Sequence, residues 1–252
     1  MKLHHKKFLP GYYFTAHQFK KLARKFGVEV KRFNPSTSEL ARIQYLFDHY
    51  QIDCVLDVGA NIGQYAHYLR ECGYYGKIVS FEPLATAHNQ LTKLSEADNF
   101  WQIAPRAAIG NRDSQIEINV SRNSEASSIL NMLDSHLNVS SEFAYVDTET
   151  VKLNKLDTIA KNYVNQANSV YMKIDVQGFE LQVLEGASDI LAKVNGIQLE
   201  LSLTQLYEEQ PLWDEVLAKM NQLNYELYAI IPVFTDMQTG KLLQMDGIFC
   251  KK

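Results

Sequence analysis

The chain has 252 residues, 46% of them hydrophobic, which is ample apolar material for one large buried core. A formal net charge of −4 and a pI near 6.0 argue against a uniformly basic nucleic-acid binder. Cys54, Cys72 and Cys250 are widely spaced and form no CxxC pair, which argues against a disulfide framework or a zinc site and fits a reducing compartment.

The charge is unevenly placed. Residues 1–33 hold nine Lys and Arg and one acid, Glu29, a local charge of +8 that leaves −12 on the remainder. Such a leader suits either a solvated helical face or contact with an anionic membrane surface. The opening MKLHHKKFLPG has basic residues with no apolar run behind them, so it does not read as a signal peptide. No stretch approaches the roughly 20 apolar residues of a membrane span. The expected location is the cytoplasm, with peripheral membrane contact through residues 1–33 as an open possibility.

In TAHQFKKLARKF (15–26), Phe19, Leu22, Ala23 and Phe26 recur at helical spacing with lysines opposite. Asn34-Pro35-Ser36 breaks the chain, and Ser36 or Ser38 caps the next helix, ELARIQYLFDHY. Residues 1–50 are therefore read as a basic helical extension and 51–252 as the main domain. From residue 52 strands and helices alternate. IDCVLDV (52–58) is apolar apart from Asp53 and Asp57 and reads as a central parallel strand buried on both faces. QYAHYLRECG (64–73) is helical, KIVSFEP (77–83) is a strand stopped by Pro83, LATAHNQLTKLSEA (84–97) is helical, and FWQIAPRAAIG (100–110) contains a third strand.

The rhythm then changes. QIEINVS (115–121) and TETVKLNKL (148–156) alternate at period two, as antiparallel strands do. The polar stretch between them, 122–147, has no period and reads as a functional loop or lid. LDTIAKNY is helical; SVYMKID (169–175), GFELQVLEGASDILAKV and NGIQLELSL (195–203) restore strand, helix and strand. PLWDEVLAKMNQLN is helical, and YELYAIIPV (225–233) and QMDGIFCKK (244–252) are closing strands. The pattern is that of an α/β protein with a doubly wound, mostly parallel sheet covered by helices on both faces.

Ligands of such sheets sit beyond the strand ends, at the point where the strand order reverses. VLDVGANIG (55–63) puts Asp57, Gly59, Asn61 and Gly63 there. Glycines let the backbone approach a ligand, and the following helix start favours negative charge. The carboxylate of Asp57 would repel a phosphate, and the spacing is GxNxG, so a ligand carrying an ammonium and a carboxylate fits better than a pyrophosphate. Glu82 ends the second strand, where an acid receives both hydroxyls of a ribose. Asp57 and Glu82 together describe a pocket for a nucleoside joined to an amino acid, the shape of S-adenosylmethionine.

VLDVGANIGQY, SFEP, the AAIG after the third strand and KIDVQGFELQVLEGA resemble the FkbM-type S-adenosylmethionine-dependent methyltransferases, from about residue 52 to the C-terminus. The resemblance implies a Rossmann-like class I methyltransferase fold, a seven-stranded sheet whose last strand is antiparallel, and O-methylation of a sugar, glycan or secondary metabolite. By position, Asp57, Gly59, Asn61 and Gly63 would hold the methionine portion. Glu82, with Pro83 beside it, would hold the ribose, and Ala108 would lie near the adenine. The resemblance says little about residues 1–33.

The chemistry needs two atoms aligned and a proton removed. Asp175 ends the fourth strand at the same crevice, facing cofactor and acceptor, and Glu200 in QLELSL should stand beside it. Two such acids bind Mg2+ through oxygen ligands, or, without a metal, raise one carboxyl pKa and produce a general base. His136, in LDSHLN, is the other candidate base if a lid carries it to the acceptor, the alternative being a surface histidine. Ser127 and Ser128 fit acceptor contacts or a helix cap, Glu180 an acidic cluster or a favourable first helical turn, and Tyr207, Trp213 and Phe234 an acceptor groove or plain core. The expected partner is a small-molecule or glycan hydroxyl acceptor and no nucleic acid, with self-association left open. Competing readings are an NAD-dependent oxidoreductase, which the missing GxGxxG weighs against, and a non-catalytic module binding S-adenosylmethionine or a glycan.

Overall fold

A computed structural model describes the backbone over residues 10–252 and the side chains over residues 17–252. Lys2, Lys6 and Lys7 of the basic leader lie outside the described residues. The chain divides into two compact units, Met1–Tyr45 and Leu46–Lys252, the division falling inside a helix.

In the first unit, helix α1 (Pro10–Lys25) ends at Gly27, whose φ of 73° a residue without Cβ adopts freely. The N–H of Gly27 bonds the Arg24 carbonyl and that of Val28 the Ala23 carbonyl, both at 3.1 Å, the double closure of a Schellman turn. Asn34 Oδ1 then accepts from the Ser36 N–H at 3.0 Å and the Ser36 hydroxyl at 2.7 Å, which makes the break a side-chain-stabilised turn. Of the two serines expected as caps, it is Ser38 whose Oγ accepts from the Ala41 N–H, at 3.4 Å, at the start of α2 (Glu39–Tyr50).

The second unit runs β1 (Cys54–Val58), α3 (Gln64–Glu71), β2 (Lys77–Phe81), α4 (Ala85–Ser95), β3 (Trp101–Ile103), β4 (Ala108–Gly110), β5 (Ser114–Ser121) and α5 (Asp134–Leu137). It continues β6 (Tyr145–Lys155), α6 (Leu156–Ile159), α7 (Lys161–Val164), β7 (Val170–Ile174), α8 (Glu180–Glu185), β8 (Val194–Ser202), α9 (Trp213–Gln222), β9 (Tyr225–Thr235) and β10 (Leu242–Lys251). Seven strands form the main sheet in the order β3-β2-β1-β7-β8-β10-β9. The first five are parallel, and the last strand in the chain, β10, is antiparallel to both neighbours.

Every residue of β1 (CVLDV) and β7 (VYMKI) is buried. Successive side chains point to opposite faces, so both faces of the sheet are covered at its centre. Leu56 lies between Val79 and Met172, and Val58 between Phe81 and Ile174. The residues that leave these three strands therefore emerge at one level: Gly59, Glu82 and Asp175.

The third strand is shorter than its sequence suggests. β3 ends at Ile103, and past Pro105, which cannot donate to a ladder, the AIG segment forms β4 in a separate sheet, β4-β6-β5. β5 and β6 pair antiparallel, as their alternation predicts. Leu84, Ala87, Ala108, Ile118, Val151, Leu153 and Phe179 form the core under this small sheet. Among the described residues no helix is long and apolar enough to cross a membrane. Cys54, Cys72 and Cys250 are buried and form no disulfide.

Candidate functional site

The strand order reverses between β1 and β7, and a cavity of about 400 Å³ opens there. That volume is in the range of small-molecule sites. Its lining brings together Gly59, Asn61, Glu82, Pro83 and Ala108 with His136, Asp175 and Glu200. Asp57 and Gly63 do not line it.

Two backbone constraints shape the turn after β1. Gly59 has φ of 81°, and a Cβ there would collide with the Asp175 carbonyl oxygen, so a glycine lets the β1 and β7 exits touch. Asn61 is also left-handed, with φ of 47°, a conformation asparagine tolerates better than most residues. Its N–H donates to Glu82 Oε2 at 2.8 Å, while the Leu84 N–H donates to Oε1 at 2.8 Å. Glu82 is buried at the end of β2, and that burial, only partly offset by the two N–H bonds, pushes its pKa up to about 7.

Asp57 is fully buried. Its Oδ2 accepts from Ser80 Oγ at 3.1 Å, and Ser80 Oγ in turn accepts from the Trp101 indole at 3.0 Å. Its Oδ1 has no partner, and burial raises its pKa to about 6 against the pull of Lys173. The sequence reading put this carboxylate against a ligand; the structure puts it between Ser80 and Lys173 in register, off the cavity wall. Gly63 caps α3 with φ of 94° and packs where a Cβ would strike the Trp101 ring.

At the β7 and β8 ends the acids are wired together. Lys173, buried within β7, donates to Asp175 Oδ2 at 2.9 Å. Burial alone would lower the lysine pKa, but Asp175, Asp57 and Asp246 hold it above its ordinary value. Burial would likewise raise Asp175, and Lys173 overrides it, so this carboxyl lies below the usual range. The Gln177 amide donates to Asp175 Oδ1 at 2.8 Å and to Glu200 Oε2 at 3.1 Å, and its own oxygen accepts from the Tyr207 hydroxyl at 2.8 Å. Gln244 also donates to Glu200 Oε2, at 2.6 Å. Burial, then the charges of Asp175, Glu180 and Asp246, raise Glu200 well above 4.5. Lys173 thus favours the charged form of Asp175, while burial and the neighbouring acids favour the neutral form of Glu200.

This donor set does not fit Mg2+. The carboxylates already accept from an ammonium and two amides, and a dication would have to share the position with Lys173. Among the described residues no three His, Cys, Asp or Glu side chains are grouped to hold a metal.

The stretch 122–147 forms part of the cavity wall. Ser124 Oγ donates to Asn61 Oδ1 at 3.1 Å, and Gln64 donates to Glu125 at 2.8 Å. Ser128 Oγ donates to the Gln177 carbonyl at 2.7 Å, and Ser127 Oγ accepts from the Ser121 N–H at 3.0 Å, so both serines brace the segment. The Leu133 N–H bonds the Leu206 carbonyl and the Glu208 N–H bonds the Asn131 carbonyl, which stitch the segment to the chain after β8. His136 is not a surface residue. It is buried on α5, with ring centroids of Phe143, Tyr207 and Phe234 at 4.5, 5.2 and 5.8 Å. Its Nδ1 has no partner, and burial lowers its pKa to about 4, so the imidazole is neutral. Tyr207 is core, Phe234 lines the cavity, and Trp213 is exposed and off it. Glu180 is buried, accepts from the N–H groups of Val176 and Gly178, and is pushed up to about 7 by burial.

Lys173, Gln177 and Gln244 escaped the sequence reading. A lysine inside an apolar strand is a signal for the first; the other two carry none.

A described family, the methyltransferase FkbM domain, matches residues 57–227, well over half of the chain. The chain belongs to the FkbM methyltransferases. The matched residues are accordingly an S-adenosylmethionine-dependent methyltransferase domain, on the class I fold its strand order displays. Solved structures similar to this FkbM methyltransferase include the methyltransferase FkbM of Methylobacillus flagellatus KT, at 14% identity and a TM-score of 0.46, over 78% of this chain and 43% of that one. An rRNA methylase from Streptococcus thermophilus is similar at 11% identity and 0.45, over 89% and 99%. A putative tRNA (m1A22) methyltransferase, Sp1610 of Streptococcus pneumoniae, is similar at 14% and 0.45, over 85% and 70%. The chain spans less than half the length of the Methylobacillus protein. No curated protein matches it.

The polar groups present fit the cofactor. Glu82 keeps a second lone pair on each oxygen for hydroxyl donors, and the cavity is apolar around Leu84, Ala108 and Ile118. Asn61 Nδ2 is a buried donor with no partner.

Proposed function

We infer that this FkbM methyltransferase methylates a hydroxyl group of a sugar, glycan or secondary metabolite. The observation that carries the reading is the span of the cavity across four strand tips. Glu82 on the β2 side and Glu200 on β8 are three strand spacings apart, about 14 Å, with Asp175 and His136 also on the wall.

S-adenosylmethionine supplies an electrophilic methyl group on a sulfonium. Glu82 receives the ribose hydroxyls, Pro83 and Ala108 flank the nucleoside, and Gly59, Asn61 and Lys173 hold the amino-acid end. Asp57 and Gly63 act from behind, the first as a buried charge beside Lys173 and the second as the start of α3. Asp175, fixed by Lys173 and Gln177, orients the acceptor hydroxyl, and Glu200 donates or accepts one hydrogen bond beside it. The neutral imidazole of His136 takes the proton. A depressed pKa does not disqualify it, because a hydroxyl becomes strongly acidic as its oxygen gains the methyl group. The aromatic rings of Phe143 and Phe234 suit the apolar faces of a sugar. The −12 carried by residues 34–252 weighs against RNA as the acceptor.

The test pairs calorimetry with a transfer assay. S-adenosylhomocysteine should bind and NAD should not. Radiolabel from S-adenosylmethionine should enter glycosides and other alcohols as an alkali-stable ether, and Asp175→Ala should lose transfer while still binding S-adenosylhomocysteine. Label entering RNA or an amine, or an alkali-labile ester, would overturn the reading.

A further inference from the structure

The first unit carries a feature that methyl transfer does not use. On α1 and the first turn residue after it, at 3.6 residues per turn, Phe19, Leu22, Ala23 and Phe26 fall within an arc of about 100°, and Lys20, Lys21, Arg24 and Lys25 fall on the opposite side. An amphipathic helix normally buries its apolar stripe. Here Phe19 is 61% exposed, Leu22 54% and Phe26 78%. The same exposure continues past the Schellman turn, at Val28 with 54% and Phe33 with 62%. Five large apolar side chains within fifteen positions thus face outward beside a dense cationic set. Glu29 partners Arg24 at 3.5 Å and Lys31 at 3.9 Å.

We propose that α1 and the turn after it lie flat on an anionic lipid bilayer. The charge selects the occupant. The chain as a whole is acidic, yet residues 1–33 carry +8, so only this segment is drawn to a negative surface. The apolar stripe selects among negative surfaces: phenylalanine and leucine gain nothing from a phosphodiester backbone but insert at the boundary of headgroups and acyl chains. A second copy packed stripe to stripe would cover the rings but leave the cationic set of each helix facing away with no anionic partner on the other copy. The helix, 16 residues and about 24 Å long, is too short to span and matches an in-plane anchor. Lysine stems reach from the opposite face towards the headgroups while the rings enter the bilayer.

Full-length protein would be sedimented with vesicles of a zwitterionic lipid, with and without an added anionic phosphoglycerol lipid. The expected result is binding to the anionic vesicles only, weakened about tenfold or more on going from about 0.1 M to about 0.5 M salt. The triple variant Phe19→Ser, Leu22→Ser, Phe26→Ser and the triple variant Lys20→Gln, Lys21→Gln, Lys25→Gln should each lose about tenfold or more of that partitioning. Both should bind S-adenosylhomocysteine as the unaltered protein does, which separates a lost surface from a lost fold. Equal binding to zwitterionic vesicles, insensitivity to the apolar substitutions, or no vesicle binding would overturn the proposal. So would a concentration-dependent dimer abolished by the serine substitutions, which would assign the face to a second copy. Retention of RNA in place of vesicles would also overturn it.

Discussion

The backbone N–H of Asn61 donates to Oε2 of Glu82 at 2.8 Å, across 21 positions of sequence. The turn after β1 and the exit of β2 are therefore one piece. A carboxylate fixed by two backbone donors is pre-organised, so a ligand hydroxyl meets an acceptor that no longer has to be ordered.

Glu82→Ala should weaken S-adenosylhomocysteine binding by about 10- to 100-fold, since it removes charged hydrogen bonds worth roughly 1.5–3 kcal/mol and frees the Asn61 turn. Glu82→Gln, which keeps one acceptor, should lose less. Calorimetry measures both; equal affinity in all three proteins would remove Glu82 from the cofactor site.

Gly59→Ala should be worse than an ordinary surface change. The added methyl meets the Asp175 carbonyl, which is backbone and cannot swing aside, and φ of 81° strains any L side chain. We expect a loss of more than about 2 kcal/mol in thermal or denaturant unfolding, together with loss of S-adenosylhomocysteine binding. A variant as stable as the parent would show that the β1 and β7 exits are not pressed together.

His136→Asn should lower kcat for methyl transfer by about 10²- to 10⁴-fold, the usual size of a general-base contribution, while leaving S-adenosylhomocysteine affinity nearly unchanged. Because burial holds the imidazole near a pKa of about 4, the unaltered enzyme should show no histidine limb in its rate profile around the ordinary value of 6.5. An inflection at that pH that disappears in His136→Asn would mean that the ring is solvated in the working enzyme.

Stability should fall with rising pH. Burial pushes Glu82 and Glu180 from 4.5 up to about 7. A carboxyl with a raised folded-state pKa binds its proton more tightly when folded, so this contribution is complete below about 4.5 and is lost as pH climbs through about 7. Each shift corresponds to at most about 3 kcal/mol. Asp175 runs in the opposite sense, its contribution being lost only as pH falls below its ordinary 3.8. The melting temperature should thus be higher at pH 5 than at pH 8, and Glu180→Gln should flatten the difference. A melting temperature that rises over that interval would contradict the burial of these acids.

The sequence made the elements around β1 legible because a strand buried on both faces needs a mostly apolar run, and CVLDV supplies one broken only by Asp57. It was less informative after Ile103, where Pro105 divides one expected strand between two sheets. LDTIAKNY, expected as one helix, is two four-residue turns, α6 and α7, meeting at Ala160. Residues 122–147 showed no period because short turns bonded to distant backbone need none.

What the sequence determined by itself was the alternation of strands and helices and the identity of the groups that end β1, β2 and β7, since hydrophobic period and turn chemistry are local properties. Tertiary structure alone decided which of those groups share a cavity. Asp57 was drawn off its wall by Ser80, His136 was drawn onto it among three aromatic rings, and Lys173, Gln177 and Gln244 were brought to the two acids. Those partners come from separate strands and loops, and charge and burial act through space, where sequence distance has no meaning.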